Sequence, residues 1–362
     1  MNRSIHLALC SALMLTGGSL NALANDLESH FIQHTHDRYF PMHMNVRSMG
    51  MGGTFVGIRG DSASILGNPA GLGGLEKAFV SGAFQFEQLS GEEISTLAAI
   101  DEDIYGGMAL GAYPITPELT AGIGFVPRFS DADHSNDLEA DHFYVPVNIA
   151  YALTPEFSLG YGIGYVNDDV STVNHDAQMD DGLLHRFGLM YQLSEQLDLG
   201  LMGSFGHGDA ESNTVGGADF DGDREAWSVR GGAAWQTTET LLLALDLAYE
   251  ELESDGTIDN TLIPTFVPLA FEESLDVMSV NLGAEYAFNE CTFLRLGTGY
   301  TDYDYSTNDT TTASLIGSLD GAHLSGGFGY DWTESITTDV GSMIRFYDEI
   351  DFMVGGQLTI AF

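Results

Sequence analysis

The chain has 362 residues, of which 44% are hydrophobic, and its 53 acidic residues against 11 lysines and arginines give a formal net charge of -42. So large an acidic excess makes nucleic acids and anionic surfaces poor partners. After the N-terminal segment, no run approaches the ~18 consecutive apolar residues of a transmembrane helix, so any membrane crossing would have to use strands.

The N-terminus predicts export. Residues 1–24 resemble a secretory signal, with Arg3, an apolar run and a small-residue site at Ala22–Ala24. Only Cys291 remains after this signal, so the mature chain cannot form an internal disulfide.

A glycine-rich stretch, residues 45–76, follows. It contains "GMGG" but lacks the GK[ST] ending of a P-loop, and it does not follow a strand, so a nucleotide site is not expected. Turn-forming residues mixed with regularly spaced Ile65, Leu66, Leu72 and Leu75 favour a folded plug over a flexible leader.

The rest of the chain alternates with a period of two. In "LGYGIGY", Leu159–Tyr165, the large apolar and aromatic residues share one face and the glycines share the other, and "LRLGTGY" and "LSGGFGY" repeat the pattern. Short turns alternate with long acidic connections, as in bacterial outer-membrane barrels, and the terminal "QLTIAF" fits a closing strand. A soluble sandwich also alternates, but its strands are shorter and less regular.

These patterns predict an all-β fold, a transmembrane antiparallel barrel of 14 strands in the bacterial outer membrane, with the lipid bilayer as a partner. The domains are then a signal peptide at 1–24, a plug at 25–77 and a barrel at 78–362. The predicted strands span 78–87, 104–113, 119–128, 142–153, 157–167, 183–193, 197–207, 225–236, 241–250, 276–288, 291–302, 321–331, 335–346 and 350–362.

The segment Arg47–Leu72, "RSMGMGGTFVGIRGDSASILGNPAGL", resembles the N-terminal hatch of the FadL family of outer-membrane transporters for long-chain fatty acids and hydrocarbons. Its Asn68, Pro69 and Ala70 match the Asn-Pro-Ala motif of that hatch. The resemblance implies a 14-stranded barrel closed by this segment, with Gly50, Gly52 and Gly53 allowing it to pack tightly against the wall. A related branch, the PorV-like barrels, has a similar glycine-rich segment with the same motif and serves as a carrier in protein secretion.

Strand parity predicts which charges face the lumen. If the apolar face of each strand meets lipid, the inward residues are Arg128, Arg186, Arg230, Arg295, Arg345, Asp198, Asp246, Glu285, Asp339, His323, Asn148 and Gln357. Two roles remain open for Arg186, Arg230 and Arg295. They either pair with carboxylates of the barrel and plug, or hold a substrate carboxylate by bidentate hydrogen bonds.

One of the long extracellular connections is apolar, whereas the others are rich in acidic residues. Its sequence "NTLIPTFVPLAF" predicts a capture surface or a lid over the barrel mouth, formed by Leu262, Ile263, Phe266, Val267, Leu269 and Phe271.

The acidic connections offer weak metal candidates. In "DFDGDRE", Asp219, Asp221, Asp223 and Glu225 alternate, so calcium binding is conceivable, but an EF-hand loop is absent and a solvated acidic loop is favoured. No catalytic motif, resident metal or cofactor is expected.

The sequence therefore predicts a channel for passive uptake of hydrophobic small molecules, either long-chain fatty acids or hydrocarbons, gated by the plug. Two alternatives stay open: a carrier or scaffold for a protein partner, and a general acidic porin.

Overall fold

The computed structural model describes residues 45–89, 102–132, 138–172, 175–214, 218–260, 269–307, 319–347 and 350–362. Three short helices come first: α1 (Val46–Gly50), α2 (Ala63–Leu66) and a 3-10 helix, η1 (Pro69–Leu72). The strands follow as β1 (Phe79–Leu89), β2 (Glu102–Pro114), β3 (Leu119–Ala132), β4 (Leu138–Ala152), β5 (Phe157–Thr172), β6 (His175–Ser194), β7 (Leu197–Thr214), β8 (Ala218–Thr238), β9 (Leu241–Asn260), β10 (Leu269–Asn289), β11 (Thr292–Thr307), β12 (Leu319–Thr333), β13 (Ile336–Phe346) and β14 (Ile350–Ala361). No helix in these ranges is long and apolar enough to cross a bilayer.

The strands form one closed antiparallel barrel in which each strand pairs with its neighbours in sequence and β1 pairs with β14. The predicted count of 14 is confirmed. Phe362 donates its backbone N–H to the carbonyl of Ala78, so the terminal residue joins the closing seam. Closure leaves no free sheet edge, which a bilayer requires because its hydrocarbon core offers no water to unpaired backbone groups.

Several predicted strand ends are wrong. Strands β6 to β10 contain 18 to 21 residues and include acidic segments that the sequence assigns to loops. A membrane crossing needs only about 9–11 residues, so these strands continue far beyond the bilayer. Acidic side chains end the stretch of outward apolar residues, but they do not disturb the hydrogen bonds between backbones. The hydrogen-bonded strand pairs therefore continue beyond the bilayer into water.

The outer face carries a lipid-facing band. Exposed aromatic residues mark its two edges, with Tyr105, Tyr165, Trp227 and Tyr300 toward the long connections and Tyr113, Tyr151, Tyr191 and Trp235 beside the short turns. Aromatic girdles of this kind lie at the membrane interfaces, and the short turns face the periplasm.

Charge is sorted between the two faces of the wall. The lysines and arginines in the described strands are all arginines that are buried on the inner face: Arg128, Arg186, Arg224, Arg230, Arg295 and Arg345. The outer face above the upper aromatic band instead exposes carboxylates, including Glu225, Glu253, Asp255, Asp302 and Asp304. This confirms the inward parity of the five arginines placed by sequence.

Candidate functional site

Residues 45–74 lie inside the barrel and follow the inner wall around the lumen. Helix α1 packs on β11 to β14, whereas α2 and η1 pack on β3 to β6. The segment between them, residues 51–57, reaches β7 to β12 through hydrogen bonds and close backbone contacts. The glycine-rich stretch therefore occupies the position of a plug.

The Asn-Pro-Ala sequence ties this plug together. Asn68 Oδ1 accepts a hydrogen bond from Ala70 N at 3.1 Å and so caps η1, which begins at Pro69. Its Nδ2 donates to the carbonyls of Val56 at 2.9 Å and Leu189 at 3.1 Å. The motif thus joins two parts of the plug to β6, and its contacts are structural.

Glycine allows the backbones of plug and wall to touch. Gly52 has a φ of +69°, and a Cβ on it would lie 2.8 Å from Thr298 N and 2.9 Å from the Leu282 carbonyl oxygen. Gly50 approaches the wall at Gly327, where a Cβ would lie 3.0 Å from the neighbouring Cα. Gly53 has a φ of +81°. The predicted plug glycines therefore occupy positions that other residues would fill only with strain.

Two of the three candidate arginines are bound to carboxylates. Arg295 donates to Glu285 and to Asp339, each at 2.6 Å. Arg230 pairs with Glu250 at 2.5 Å, and its guanidinium lies 5.9 Å from the ring centre of Phe55 in the plug. These contacts favour the structural role that the sequence left open.

Arg186 has a different environment. Its Nη2 donates to the carbonyl of Ile65 at 2.8 Å and its Nη1 donates to that of Leu66, so it binds the carboxyl end of α2. No carboxylate among the described residues forms an ion pair with it, and its buried Nε has no hydrogen-bond partner there. Tyr144, whose ring centre is 5.5 Å away, also has an unpartnered buried hydroxyl. Arg186 thus has no counter-ion within the described part of the chain.

Two of the inward carboxylates bind the plug. Asp246 Oδ2 accepts the backbone N–H groups of Phe55 at 2.8 Å and Val56 at 3.0 Å. Asp198 pairs with Arg59 at 2.8 Å. Strand parity predicted that both carboxylates face inward, but it could not name their partners, because the path of the plug was unknown.

The plug's own basic residues were missed by the sequence reasoning. Arg47 bridges Asp61 at 2.5 Å and Glu285 at 2.8 Å. Burial alone would lower the pKa of its guanidinium, but these two carboxylates outweigh that effect and raise the pKa well above its ordinary value. The sequence around the basic residues of the plug has neither a helical nor a strand period, so it did not indicate which way their side chains point.

Buried apolar side chains flank the plug. On β9 to β11, Leu252, Leu275, Val277, Tyr303 and Tyr305 form a cluster with Phe55 of the plug. A second cluster lies on the opposite side of the lumen and joins plug residues to β1 through β6. Its members include Ile65, Leu66, Leu72, Met108, Leu110, Val126 and Tyr144. Two apolar clusters therefore line parts of the interior, among buried polar and charged groups such as Glu250, Ser254 and Glu273.

A cavity of about 310 Å³ lies between the plug and the periplasmic ends of β10 to β14. In contrast to the clusters above, its lining is polar and includes Arg47, Asp61, Glu285, Asp331 and Asp339.

The capture residues lie mostly outside the described part of the chain. Leu262, Ile263, Phe266 and Val267 are not among the residues that the structure describes. Leu269 and Phe271 fall in β10, where their Cα atoms pair with those of Ile258 and Gly256. Their predicted role is untested.

The calcium candidates lie in strand β8 and not in a loop. Asp223 and the β7 residues His207 and Asp209 place one ligand atom each within 4.8 Å of one another, all on exposed side chains. Calcium binding stays a prediction.

Comparison with known proteins supports the fold. The family model described as outer membrane protein beta-barrel domain matches residues 157–332. No curated protein sequence matches the chain.

Solved channel structures match nearly the whole barrel. The monoaromatic hydrocarbon channel CymD is similar with a TM-score of 0.63 and 15% identity, over 89% of this chain and 99% of that one. A FadL homologue from Pseudomonas aeruginosa gives 0.62 and 13%, over 88% and 97%. The toluene transporter TodX from Pseudomonas putida gives 0.56 and 14%, over 87% and 96%. The chain is an outer-membrane β-barrel with the plugged 14-stranded architecture predicted from its sequence, and it shares its fold with these channels.

Proposed function

We propose that the protein is a passive outer-membrane channel for hydrophobic small molecules, with monoaromatic hydrocarbons as its first candidate substrates. The observation that carries this proposal is the apolar cluster that lines part of the lumen beside the plug. Leu252, Leu275 and Val277 are at most 2% exposed and point inward from strands whose outer face meets lipid. The inner face of a water-filled porin is polar, so a buried apolar cluster of this size is not expected on it.

A matched pair of substitutions on β10 tests this proposal. Val277 faces the lumen and is 2% exposed, whereas the adjacent Met278 faces outward and is 60% exposed. Val277→Asn places an amide in the apolar path and should reduce toluene uptake by about five- to a hundredfold, because desolvating a polar group costs ~1–3 kcal/mol. Met278→Asn makes a similar chemical change on the other face and should leave uptake near that of the unaltered protein.

Uptake of labelled toluene and of glucose by cells that carry the protein in their outer membrane, each measured against cells that lack it, separates the candidate functions. Toluene flux that depends on Val277, with little glucose flux, supports the channel. Rapid glucose flux supports a general porin. No flux of either molecule from a folded protein, as judged by heat-modifiable gel mobility, removes the channel proposal and favours a carrier for a protein partner.

The apolar run at the top of the barrel is proposed to capture the substrate. Phe271 lies at the extracellular end of β10, in the strand that also carries Val277. Phe266→Asp combined with Phe271→Asp should slow toluene uptake while assembly stays intact. Normal uptake by a folded double variant would remove the capture role.

A carboxylate-bearing substrate, such as a long-chain fatty acid, is the second candidate. The observation that favours it is Arg186, whose charge meets no carboxylate of the described chain. Arg230 and Arg295 are weaker candidates because Glu250, Glu285 and Asp339 already bind them.

A further inference from the structure

Three side chains of metal-binding types meet on the outer face of the barrel, away from the lumen. His207 and Asp209 are alternate, exposed residues of β7, and Asp223 is exposed on the neighbouring strand β8. One imidazole nitrogen and one oxygen of each carboxylate all lie within 4.8 Å of one another. The three side chains therefore form a compact cluster with one nitrogen donor and two oxygen donors.

The register of the two strands brings these side chains together. The Cα of Asp209 pairs with that of Asp223, and the next outward pair toward the membrane is His207 with Glu225. Alternate residues of a strand share one face, and residues directly opposite on paired strands have Cβ atoms about 4.5–5.5 Å apart. The pairing of β7 with β8 fixes the backbone, so only exposed side chains need to turn for the donors to close on an ion.

The cluster lies on the water side of the upper aromatic edge. Phe205 and Trp227 form the outward pair that comes immediately before His207 and Glu225. Trp227 belongs to the aromatic residues that mark the membrane interface. The donors of the cluster therefore lie just beyond this interface, where water and dissolved ions reach them.

Charge gives a second, independent reason to expect a cation here. A row of carboxylates, one from each strand, lies directly opposite one another across β7 to β10: Asp209, Asp223, Asp255 and Glu272. Like charges in such positions destabilise a sheet. Between residues 78 and 362 the sequence contains no lysine, and its six arginines are all buried on the inner face. The barrel and its connecting segments therefore supply no lysine or arginine that could neutralise this row.

The donor set favours zinc over calcium. Calcium takes about six to eight ligands, all of them oxygen, whereas Zn²⁺ binds histidine nitrogen and carboxylate oxygen together. Three protein ligands with a water molecule as the fourth are a common arrangement around Zn²⁺. The ligand atoms of a tetrahedral Zn²⁺ lie about 3.4 Å apart. Small rotations of three exposed side chains therefore close the cluster from its separations of up to 4.8 Å.

We propose that His207, Asp209 and Asp223 form a zinc site on the outer face, which joins β7 to β8 beyond the bilayer. His207 supplies a neutral imidazole nitrogen, and the two aspartates supply one oxygen each. The bound ion reduces the repulsion between the directly opposed Asp209 and Asp223. The site lies outside the lumen, so the channel proposed above does not require it, and the site does not require the channel.

Isothermal titration calorimetry of the purified protein in detergent, with ZnCl₂ as the ligand, tests the site. His207→Gln should weaken the binding of one Zn²⁺ per chain by at least about tenfold, because even the loss of a residue that only supports a ligand costs about that much. Asp209→Asn and Asp223→Asn should each weaken the same site. The signal is the difference between the unaltered protein and a variant, so zinc bound by other histidines does not contribute to it. Zinc binding that His207→Gln leaves unchanged overturns the proposal.

Asp304→Asn is the matched control for Asp209→Asn. Asp304 is an exposed carboxylate on the same outer face, but it lies on β11, where its Cα pairs with that of Asp276. Its loss changes the charge by the same amount and should leave zinc binding unaltered. Equal weakening by Asp304→Asn and Asp209→Asn would mean that diffuse negative charge attracts the ion, and the proposed site would be wrong.

His207→Asp tests the role of the imidazole. This variant keeps three side-chain donors and adds a negative charge, so simple attraction predicts tighter binding of both Zn²⁺ and Ca²⁺. The proposed site predicts weaker binding of Zn²⁺ instead, because imidazole suits zinc and carboxylate suits calcium. Unchanged or tighter zinc binding by the folded variant, as judged by gel mobility, would show that His207 is not a ligand and would overturn the proposal.

Discussion

Asp246 is the carboxylate on which the middle of the plug depends. It is 1% exposed, and its Oδ2 accepts the N–H groups of both Phe55 and Val56. We expect Asp246→Leu to loosen this segment, because the leucine side chain offers no acceptor and leaves two buried donors unpaired. Conductance through the barrel should then rise.

The size of the effect follows from these two contacts. A hydrogen bond to a charged acceptor contributes about 1.5–3 kcal/mol, so two contribute roughly 3–6 kcal/mol before the desolvation of the carboxylate is subtracted. In Asp246→Asn one amide oxygen can take the place of Oδ2 and accept both N–H groups as neutral bonds worth ~1 kcal/mol each. The loss should therefore be clearly smaller for Asn than for Leu.

Planar-bilayer conductance of the three proteins measures the difference. The expected order of open fraction is Leu above Asn above Asp at position 246, with all three resistant to unfolding as judged by gel mobility. If the folded Asp246→Leu variant is as closed as the unaltered protein, the two N–H contacts do not hold the plug.

Three further predictions concern the plug and Arg186, which binds backbone carbonyls of the plug. Deleting residues 25–76 should convert a closed barrel into a conducting one, and unchanged conductance would place this segment outside the permeation path. Gly52→Ala should raise the open fraction because its Cβ has no room, whereas Gly60→Ala, which has a positive φ but meets no atom, should strain the backbone without a clash and change the open fraction less. Arg186→Gln should weaken binding of a fatty acid by roughly ten- to a hundredfold and leave binding of an alkane of equal length almost unchanged. Equal effects on both ligands would assign Arg186 to plug support alone.

The strand count and the inward arginines could be predicted because both depend on local alternation. A residue such as Arg295 changes faces with every one-residue shift of register, so an arginine near the membrane midplane fixes the parity of its strand. The ends of β6 to β10 could not be predicted in the same way. In their acidic extensions, outward carboxylates such as Glu253 replace the lipid-facing apolar residues by which the strands were recognised, although the alternation of buried and exposed residues continues.

The partners of the charged residues in the lumen could not be predicted from the sequence, for a different reason. Glu285 lies beside an arginine as a local matter, since its Cα pairs with that of Arg295 across neighbouring strands. Asp246, Asp198 and Arg186 instead bind plug residues that are 119 to 191 positions away in the sequence. Such contacts depend on the path of the plug inside the lumen, and the local periodicity of the sequence does not predict that path.

The central claim is that a hydrophobic molecule occupies the lumen beside the plug. Soaking crystals of the protein with 4-iodotoluene and locating the iodine by anomalous scattering tests it most directly. The account predicts an iodine position within the barrel, in contact with the cluster around Phe55, Leu275 and Val277. Iodine found only on the lipid-facing surface of an otherwise intact, plugged barrel would contradict it.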